Sequence, residues 1–257
     1  MLNKEKYYSL EADNEYFSVS QYKAFKRCEA REMARLRGEI PQAVNDAFLI
    51  GQYVHAWSEG TLDKFKEEHP EIISSRGQTK GQLKSSFLVA DKMINALAND
   101  EMCMKVLEGE KEKLFTGELF GVKWKILVDV CNMEKGYFSD LKTTQGIYKK
   151  YANGTFIEQF GYIEQMAVYR EIIKQNTGKV LQPYIVAVTK EEIPDKAIIF
   201  IESHYMDEKL EEIEMYMDRF KTIKAGLEEP IRCEMCDYCK STKKVKKILR
   251  LEDLING

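Results

Sequence analysis

The segment KILVDVCNMEKGYFSDLKTTQ, from Lys125 to Gln145, combines two strand-like runs with charges in unusual places. Two short apolar runs flank the polar turn NMEKG, and each carries one aspartate, Asp129 and Asp140. Runs rich in β-branched and aromatic residues on either side of a glycine-containing turn predict a pair of strands. Charged groups within such strands are costly unless they are paired or bind a metal ion. These charges therefore either stabilise the fold or take part in chemistry.

The surrounding sequence predicts one α/β domain. Between residues 111 and 144 apolar and polar residues alternate, which indicates a three-stranded meander. A helix follows in FIEQFGYIEQMAVYREIIKQNTG, then the strands LQPYIVAVTK and KAIIFIESH, and then a further helix. Upstream, helix formers and capping serines predict a helix from about Ser20 to Leu36. We expect a single domain over residues 1–257, of which residues 228–257 form a cysteine cluster and a basic tail.

Composition narrows the class of protein. The chain is 44% hydrophobic and 32% charged, as in ordinary globular proteins, and it contains no apolar run of the roughly 18 residues that cross a bilayer. The N-terminus lacks the apolar core of a signal peptide. We therefore expect a cytoplasmic protein with no membrane partner. Because the formal net charge is −3, binding to nucleic acid would depend on local basic patches or on metal ions.

The charged strand suggests a metal site. Side chains alternate along a strand, so Asp140 and Lys142 share one face while Leu141 points into the core. If the two strands pair through the turn at 132–136, Asp129 lies near them. Two carboxylates on adjacent strands can bind Mg²⁺, with a backbone carbonyl, waters and a phosphate as further ligands. The lysine would orient or help deprotonate a water, or neutralise charge that develops on phosphorus.

The alternative is an exposed Asp–Lys pair on a half-solvated strand, which is a common arrangement. The run ILVDV argues against this alternative. Asp129 there stands among core-type residues, where an unpaired acid is hard to accommodate. The residues alone thus favour chemistry over a surface ion pair.

These residues resemble the core of the PD-(D/E)xK nuclease superfamily. Asp129 followed by Asp140-Leu141-Lys142 is similar to its metal-binding motifs, and DLKTT is a familiar form of the third motif in RecB-type and phage exonucleases. By position, the resemblance implies that both aspartates bind the metal, that the Leu141 carbonyl completes the site and that Lys142 acts in catalysis. It also implies a restriction-endonuclease-like fold, with a central mixed β-sheet flanked by α-helices.

Two helices extend the resemblance. Gln165 and Tyr169 match the Q-x-x-x-Y motif of RecB-type domains, and their spacing places both on one helix face, where they would contact the DNA backbone. GQYVHAWSEG resembles the Gly-x-x-x-His helix of the same nucleases, which implies that His55 binds or lines the metal site. Glu59, four residues later, is a further candidate. Considered without the family, Tyr169 and His55 are also compatible with packing in the core.

Three of the six cysteines form a C-x2-C-x2-C motif: Cys233, Cys236 and Cys239. Thiolates this close can bind zinc or an iron–sulfur cluster, although either site normally has four ligands. Three free thiols on a turn are the alternative. In several RecB-type nucleases an N-terminal cysteine joins three near the C-terminus around a [4Fe–4S] cluster, and Cys28 has the matching position. Relatives with the cluster commonly have five residues before the last cysteine and this chain has two, so Zn²⁺ stays beside [4Fe–4S] as an interpretation.

The combined motifs favour a Mg²⁺- or Mn²⁺-dependent DNA exonuclease of the phage-type RecB/RecE-like group. The resemblance implies work in recombination or DNA processing beside a single-strand annealing protein, and some members form homo-oligomeric rings. A basic run near the C-terminus is a candidate for phosphate contacts: Lys240, Lys243, Lys244, Lys246, Lys247 and Arg250. The alternatives are a non-catalytic nucleic-acid-binding protein with a structural metal cluster, and a metal-dependent hydrolase of another substrate.

Overall fold

The structure is a computed structural model that describes residues 2–41, 46–245, 248 and 250–252. Helices make up the first part of the chain, before the sheet. They are α1 (Leu10–Glu15), α2 (Val19–Arg27), α3 (Glu29–Leu36), α4 (Asp46–Glu59), α5 (Leu62–Glu68), α6 (Ser85–Ala98) and α7 (Glu101–Val106), with short 3-10 turns at Pro70–Ile72 and Gly77–Thr79.

A five-stranded mixed sheet forms the centre of the fold, in the order β1-β2-β3-β4-β5. Its strands are β1 (Glu110–Leu119), β2 (Val122–Asn132), β3 (Tyr137–Thr144), β4 (Gln182–Thr189) and β5 (Lys196–Phe200). Helices α8 (Phe156–Gln159) and α9 (Tyr162–Thr177) connect β3 to β4, which pair in parallel, whereas the other neighbours are antiparallel. Helices α10 (Ser203–Lys224) and α11 (Asp237–Ser241) follow. The predicted mixed sheet flanked by helices is confirmed.

Helices cover both faces of the central strands. On one face, residues of α2, α3, α9 and α10 pack against the sheet around the fully buried Trp124 and Phe220. On the other face, residues of α4 and α6 pack around Tyr53 and Leu141. Because both faces are covered, a polar side chain on β2 or β3 has to find its partners within the protein or in a bound ligand.

The turn between β2 and β3 fixes the register of the predicted hairpin. Gly136 has φ +76°, in the left-handed region that favours glycine. Its amide and that of Lys135 donate to the backbone and the side chain of Asn132, at 3.0 and 2.9 Å. The resulting register sets Val130 opposite Ser139. The two aspartates therefore follow at the same level of the sheet.

The predicted helix from Ser20 to Leu36 is wrong in one respect. It is interrupted at Cys28, whose extended backbone (φ −168°, ψ 105°) ends α2 and starts α3. The interruption turns the buried Cys28 thiol toward Cys239, with the two sulfurs 3.5 Å apart. A tertiary contact thus overrides local helix propensity.

None of the helices in the described ranges combines the length and the apolar character needed to cross a membrane. In the basic run, Lys246 and Lys247 lie outside the described residues.

Candidate active site

Strands β2 and β3 stop pairing where the two aspartates stand. The ladder includes the pair Val130 and Ser139 and ends before Asp129 and Asp140. Instead, the amide of Leu141 donates to the Asp129 carboxylate at 2.9 Å. The separation opens a notch between the strands, and a side chain replaces the missing backbone partner.

Asp140 is deeply buried and has two cationic or polar neighbours. Its side chain is 1% exposed and pairs with the Lys142 ammonium, whose side chain is 16% exposed. Gln165 donates to the other carboxylate oxygen of Asp140. Burial raises the pKa of Asp140, and the charge of Asp129 raises it further. The interpretation as an exposed surface ion pair is therefore wrong.

Lys142 carries its proton in this setting. Burial by itself would lower the pKa of Lys142, but the charges of Asp140 and Asp129 outweigh burial and raise the pKa above its ordinary value. The ammonium also lies 5.1 Å from the centre of the Tyr162 ring, at the start of α9. Strand β3 thus supplies both the acid Asp140 and the ammonium group that pairs with it.

Helix α4 brings His55 to the notch. Gly51, one turn earlier, faces β3: a Cβ there would lie 3.8 Å from the Thr143 hydroxyl oxygen. His55 Nδ1 then lies 3.3 Å from the Asp129 carboxylate. The structure thus places His55 beside Asp129, and its role as a metal ligand stays a prediction.

The predicted DNA contacts Gln165 and Tyr169 lie on the inner side of the site. Gln165 is bound to Asp140, as described above. Tyr169 is buried at 8% exposure, and its ring lies 6.5 Å from that of Phe138. Both residues therefore support the acidic strand from α9, and their contact with DNA stays a prediction.

One further acid at the site, Glu112 on β1, was not predicted from the sequence. Glu112 has φ +52° and interrupts the β1–β2 ladder at the level of Asp129. Burial, followed by the charges of Asp129 and Glu59, raises the pKa of Glu112 to about 8. Burial also raises the pKa of Glu59. Glu112 lies in the run EKEK, residues 110–113, where opposite charges alternate. No pattern there sets Glu112 apart from its neighbours.

The acidic residues fit a divalent cation. One buried carboxylate oxygen of Asp140 has the Lys142 ammonium as its one neighbour of opposite charge among the described residues. In an extended strand the N–H and C=O of one residue point to the same side, so the Leu141 carbonyl faces the notch together with its amide. Carboxylates and carbonyls are the preferred ligands of Mg²⁺. The charge of Asp129 raises the pKa of Asp140, Glu112 and Glu59, and a divalent ion would offset this repulsion.

The four predicted cysteines meet at a second place, between α3 and α11. Their sulfurs all lie within 4.8 Å of one another. Cys28 is 3.5 Å and Cys233 is 3.9 Å from Cys239. Within the described ranges no group containing His55, Asp129 and Asp140 is gathered this closely.

Backbone amides prepare this cysteine group for a cation. The amides of Met235 and Cys236 lower the pKa of Cys233 to about 6, while burial raises that of Cys28 to about 12. Cys236 caps α11 by accepting from the Cys239 amide. Glu234 has φ +56°, which tightens the turn between the first two thiols. Four converging sulfurs, one already a thiolate, are compatible with metal binding.

Comparisons with known proteins agree with this geometry. The family described as "PDDEXK-like domain of unknown function (DUF3799)" matches residues 18–242. A crystal structure from Eubacterium rectale, described as a "putative exonuclease", is 40% identical and superimposes with a TM-score of 0.93. The match covers 100% of this chain and 99% of that one. A comparison with curated proteins gives no match. The predicted restriction-endonuclease-like fold and resemblance to PD-(D/E)xK nucleases are confirmed.

Proposed function

Because the chain belongs to the PDDEXK-like domain family, we propose that it is a metal-dependent DNA exonuclease that hydrolyses phosphodiester bonds. Family and structural neighbour together support a nuclease acting on nucleic acid. The observation that carries the proposal is the meeting of Asp129, Asp140 and Lys142 where β2 and β3 separate. The description of the neighbour as a "putative exonuclease" favours action at strand ends.

Asp129, Asp140, the Leu141 carbonyl and His55 would hold Mg²⁺ or Mn²⁺. Bound there, the cation supplies Lewis-acid stabilisation of the phosphate and a water of lowered pKa. Asp129 is fixed from two sides, by the Leu141 amide at 2.9 Å and by His55 at 3.3 Å. A carboxylate held in this way needs no reorganisation during the reaction.

Lys142 and Gln165 act through charge and position. The Lys142 ammonium, beside Asp140, would neutralise negative charge that develops on the phosphate oxygens. Gln165 restrains rotation of the Asp140 carboxylate from α9. We assign Gln165 this positioning role in addition to the DNA contact that its motif implies. The Tyr169 ring packs against Phe138 of β3.

The finer features of the proposal come from the resemblance of the motifs. They are a DNA substrate, work in phage-type recombination or DNA processing, a single-strand annealing protein as partner, a homo-oligomeric assembly and a cytoplasmic location. The enzyme would need no partner to carry out hydrolysis, because the acids and the lysine all come from one hairpin.

For the cysteine group we propose one tetrahedral ion, Zn²⁺, rather than [4Fe–4S]. With metal–sulfur bonds of about 2.3 Å, a tetrahedral ion sets its sulfurs about 3.8 Å apart. Two of the sulfur pairs, at 3.5 and 3.9 Å, lie close to that value, and every pair lies within 4.8 Å. A four-iron cube puts irons and sulfides between the thiolates and pushes their sulfurs much farther apart.

The test of the function is digestion of end-labelled linear duplex and closed circular DNA with Mg²⁺, Mn²⁺ or chelator. We expect loss of the linear substrate alone, only with metal, and a fall of about 100-fold or more in the Lys142→Ala variant. The matched control is Lys196→Ala on β5. It breaks an ion pair to Asp100, at 3.5 Å, and should leave digestion unchanged.

Three results would contradict the proposal or correct it. Digestion by Lys142→Ala at the wild-type rate would remove Lys142 from the chemistry. Cleavage of the circle would make the protein an endonuclease with the same core. DNA binding without any cleavage would favour the non-catalytic interpretation. Thermal melting of each variant separates loss of chemistry from loss of fold.

Metal analysis tests the cysteine site. We expect about one zinc per chain, no iron, and no absorbance in the visible range. Cobalt substitution should give the colour of a tetrahedral thiolate site. Stoichiometric iron with inorganic sulfide would restore the [4Fe–4S] interpretation.

A further inference from the structure

A cavity of about 260 Å³ lies between the N-terminal segment, helices α1 to α3 and β2. Its lining includes four basic side chains and two acidic ones, so positive charge is in excess. The two acids neutralise two of the basic groups: Asp13 pairs with Arg35 and Lys125 at 2.7 and 2.6 Å, and Glu32 pairs with Arg35 at 2.6 Å. The excess charge therefore comes from Arg27 and Arg31.

Arg27 and Arg31 are exposed on the cavity wall. Within the described part of the chain neither has an ion pair. Both flank Cys28, where α2 gives way to α3, and they stand four residues apart. Two uncompensated guanidinium groups at one wall are suited to successive phosphates.

Tyr8 connects this cavity to the acidic site. Its side chain lines the cavity and is 73% exposed. Tyr7 holds the ring edge-to-face at 4.9 Å and 87°. The Tyr7 carbonyl in turn accepts from the buried Lys125. Lys4, in the same segment, donates to the Lys111 carbonyl next to Glu112 at 3.2 Å, so this segment lies against β1 at the level of the notch. Burial raises the pKa of Tyr8, and the charges of Glu112 and Asp129 raise it further.

Helix α2 supplies a second connection. Lys23 donates to the Phe160 carbonyl at 2.9 Å, and burial, followed by the charge of Lys142, lowers its pKa to about 8. Lys23 and Lys142 face the same aromatic ring, at 5.7 and 5.1 Å from the centre of Tyr162. Arg27 follows four residues later on the same helix face. A row of basic side chains leads from the notch to the cavity.

We propose that this cavity binds the end of a single DNA strand, next to the phosphate to be cleaved. Tyr8 stacks on a base, and Arg27 and Arg31 contact phosphates. An aromatic platform with flanking basic groups is the usual arrangement for single strands, and the cavity is too small for a duplex. The inference rests on the proposed nuclease function and adds the subsite that selects a frayed or single-stranded end.

Fluorescence anisotropy with a labelled, phosphorothioate-linked oligothymidylate tests the inference without hydrolysis, in buffer that contains neither Mg²⁺ nor chelator. Tyr8→Ala should weaken binding about tenfold or more, and Tyr8→Phe should restore it to within about twofold because the ring still stacks. Arg27→Gln with Arg31→Gln should reduce the salt dependence by about 1.4 in the slope of log affinity against log salt. Arg37→Gln, an exposed arginine at the end of α3 outside the cavity lining, is the matched control.

The outcomes separate this inference from the function. Unchanged binding in the Tyr8 and arginine variants, with wild-type protein that digests DNA, would overturn the cavity subsite and leave the nuclease intact. Equal loss in Tyr8→Phe and Tyr8→Ala would overturn stacking. Wild-type protein that binds the oligonucleotide through these residues but never digests DNA would contradict the nuclease and retain the subsite. The variants change exposed residues, and their melting temperatures check the fold.

Discussion

The acidic notch and the cysteine group are built in opposite ways. In the cysteine group four donor atoms converge to within 4.8 Å of one another, and Cys28 and Cys239 are buried. In the notch, Asp140 is engaged by Lys142 and Gln165 while Asp129 is engaged by Leu141 and His55.

Under the proposed function, this difference corresponds to two uses of a metal. A closed site with all its ligands from the protein is suited to structure, because nothing has to enter. A site that keeps donors apart leaves room for water and a phosphate. The proposed function would therefore assign a structural ion to the cysteine group and a catalytic ion to the notch.

The largest effect should follow from Asp129→Asn. This substitution keeps an acceptor for the Leu141 amide but removes a metal-binding charge, so digestion should fall about 1000-fold. Because Asp129 raises the pKa of Asp140 by repulsion, the melting temperature should stay or rise. End-label release and thermal melting check both statements. A variant that unfolds would show that the notch is structural, like the cysteine group.

The cysteine group should respond in the opposite sense. Cys239→Ser removes the buried ligand that contacts Cys28 and Cys233, and the free energy of unfolding should fall by about 3 kcal/mol. Bound metal should be lost as well. Cys103→Ala, a buried thiol on α7 outside the group, should cost about 1 kcal/mol and leave the metal content unchanged. Equal effects of the two variants would contradict a metal site.

A smaller effect should follow from Gln165→Ala. Without the amide that holds Asp140, digestion should fall about tenfold, because a catalytic group loses its orientation. Gln175→Ala on the same helix removes bonds to the Glu118 backbone at 2.8 and 3.0 Å and should not change the rate. If Gln165→Ala changes only the affinity for DNA, the contact implied by the motif accounts for it and the positioning role does not.

The notch could be predicted from the sequence because its parts are local. Asp129 and Leu141 are twelve residues apart, and a glycine turn with an Asn cap sets their register. His55 and Gln165 were implied by the resemblance of their helix motifs to those of RecB-type nucleases. Even so, the spacing did not show that Gln165 faces Asp140 rather than solvent.

Other features depend on long-range packing. Cys28 and Cys239 are 211 residues apart, and the continuous helical pattern around Cys28 predicted no interruption there. The left-handed backbone of Glu112 comes from its neighbours in the sheet and not from its own preference. The cavity at Tyr8 needs three helices and a strand in place. A sequence pattern predicts the local structure of its own segment. These features could not be predicted in this way, because they depend on contacts between distant segments.

The smallest effect is a pH dependence that has opposite signs in the two regions. The pKa of Glu112 is raised from 4.5 to about 8, so the folded metal-free protein keeps a proton that the unfolded chain releases. Its stabilisation is complete below 4.5 and is lost as the pH rises through 8. The pKa of Cys233 is lowered from 9.0 to about 6, so its contribution is present above 9 and is lost as the pH falls through 6.

Between pH 5 and 6 the pH dependence of the stability comes mainly from Glu112, because the contribution of Cys233 is being lost below pH 6. The free energy of unfolding of metal-free protein should fall there by about 1 kcal/mol per pH unit, and Glu112→Gln should flatten this slope, because glutamine mimics the protonated acid. Chemical denaturation at several pH values measures it. Glu110→Gln, an exposed partner of Lys113 on the same strand, should keep the slope. An unchanged slope in Glu112→Gln would mean that repulsion among the acids of the notch does not raise the pKa of Glu112. The electrostatic reason to expect a cation there would then be absent.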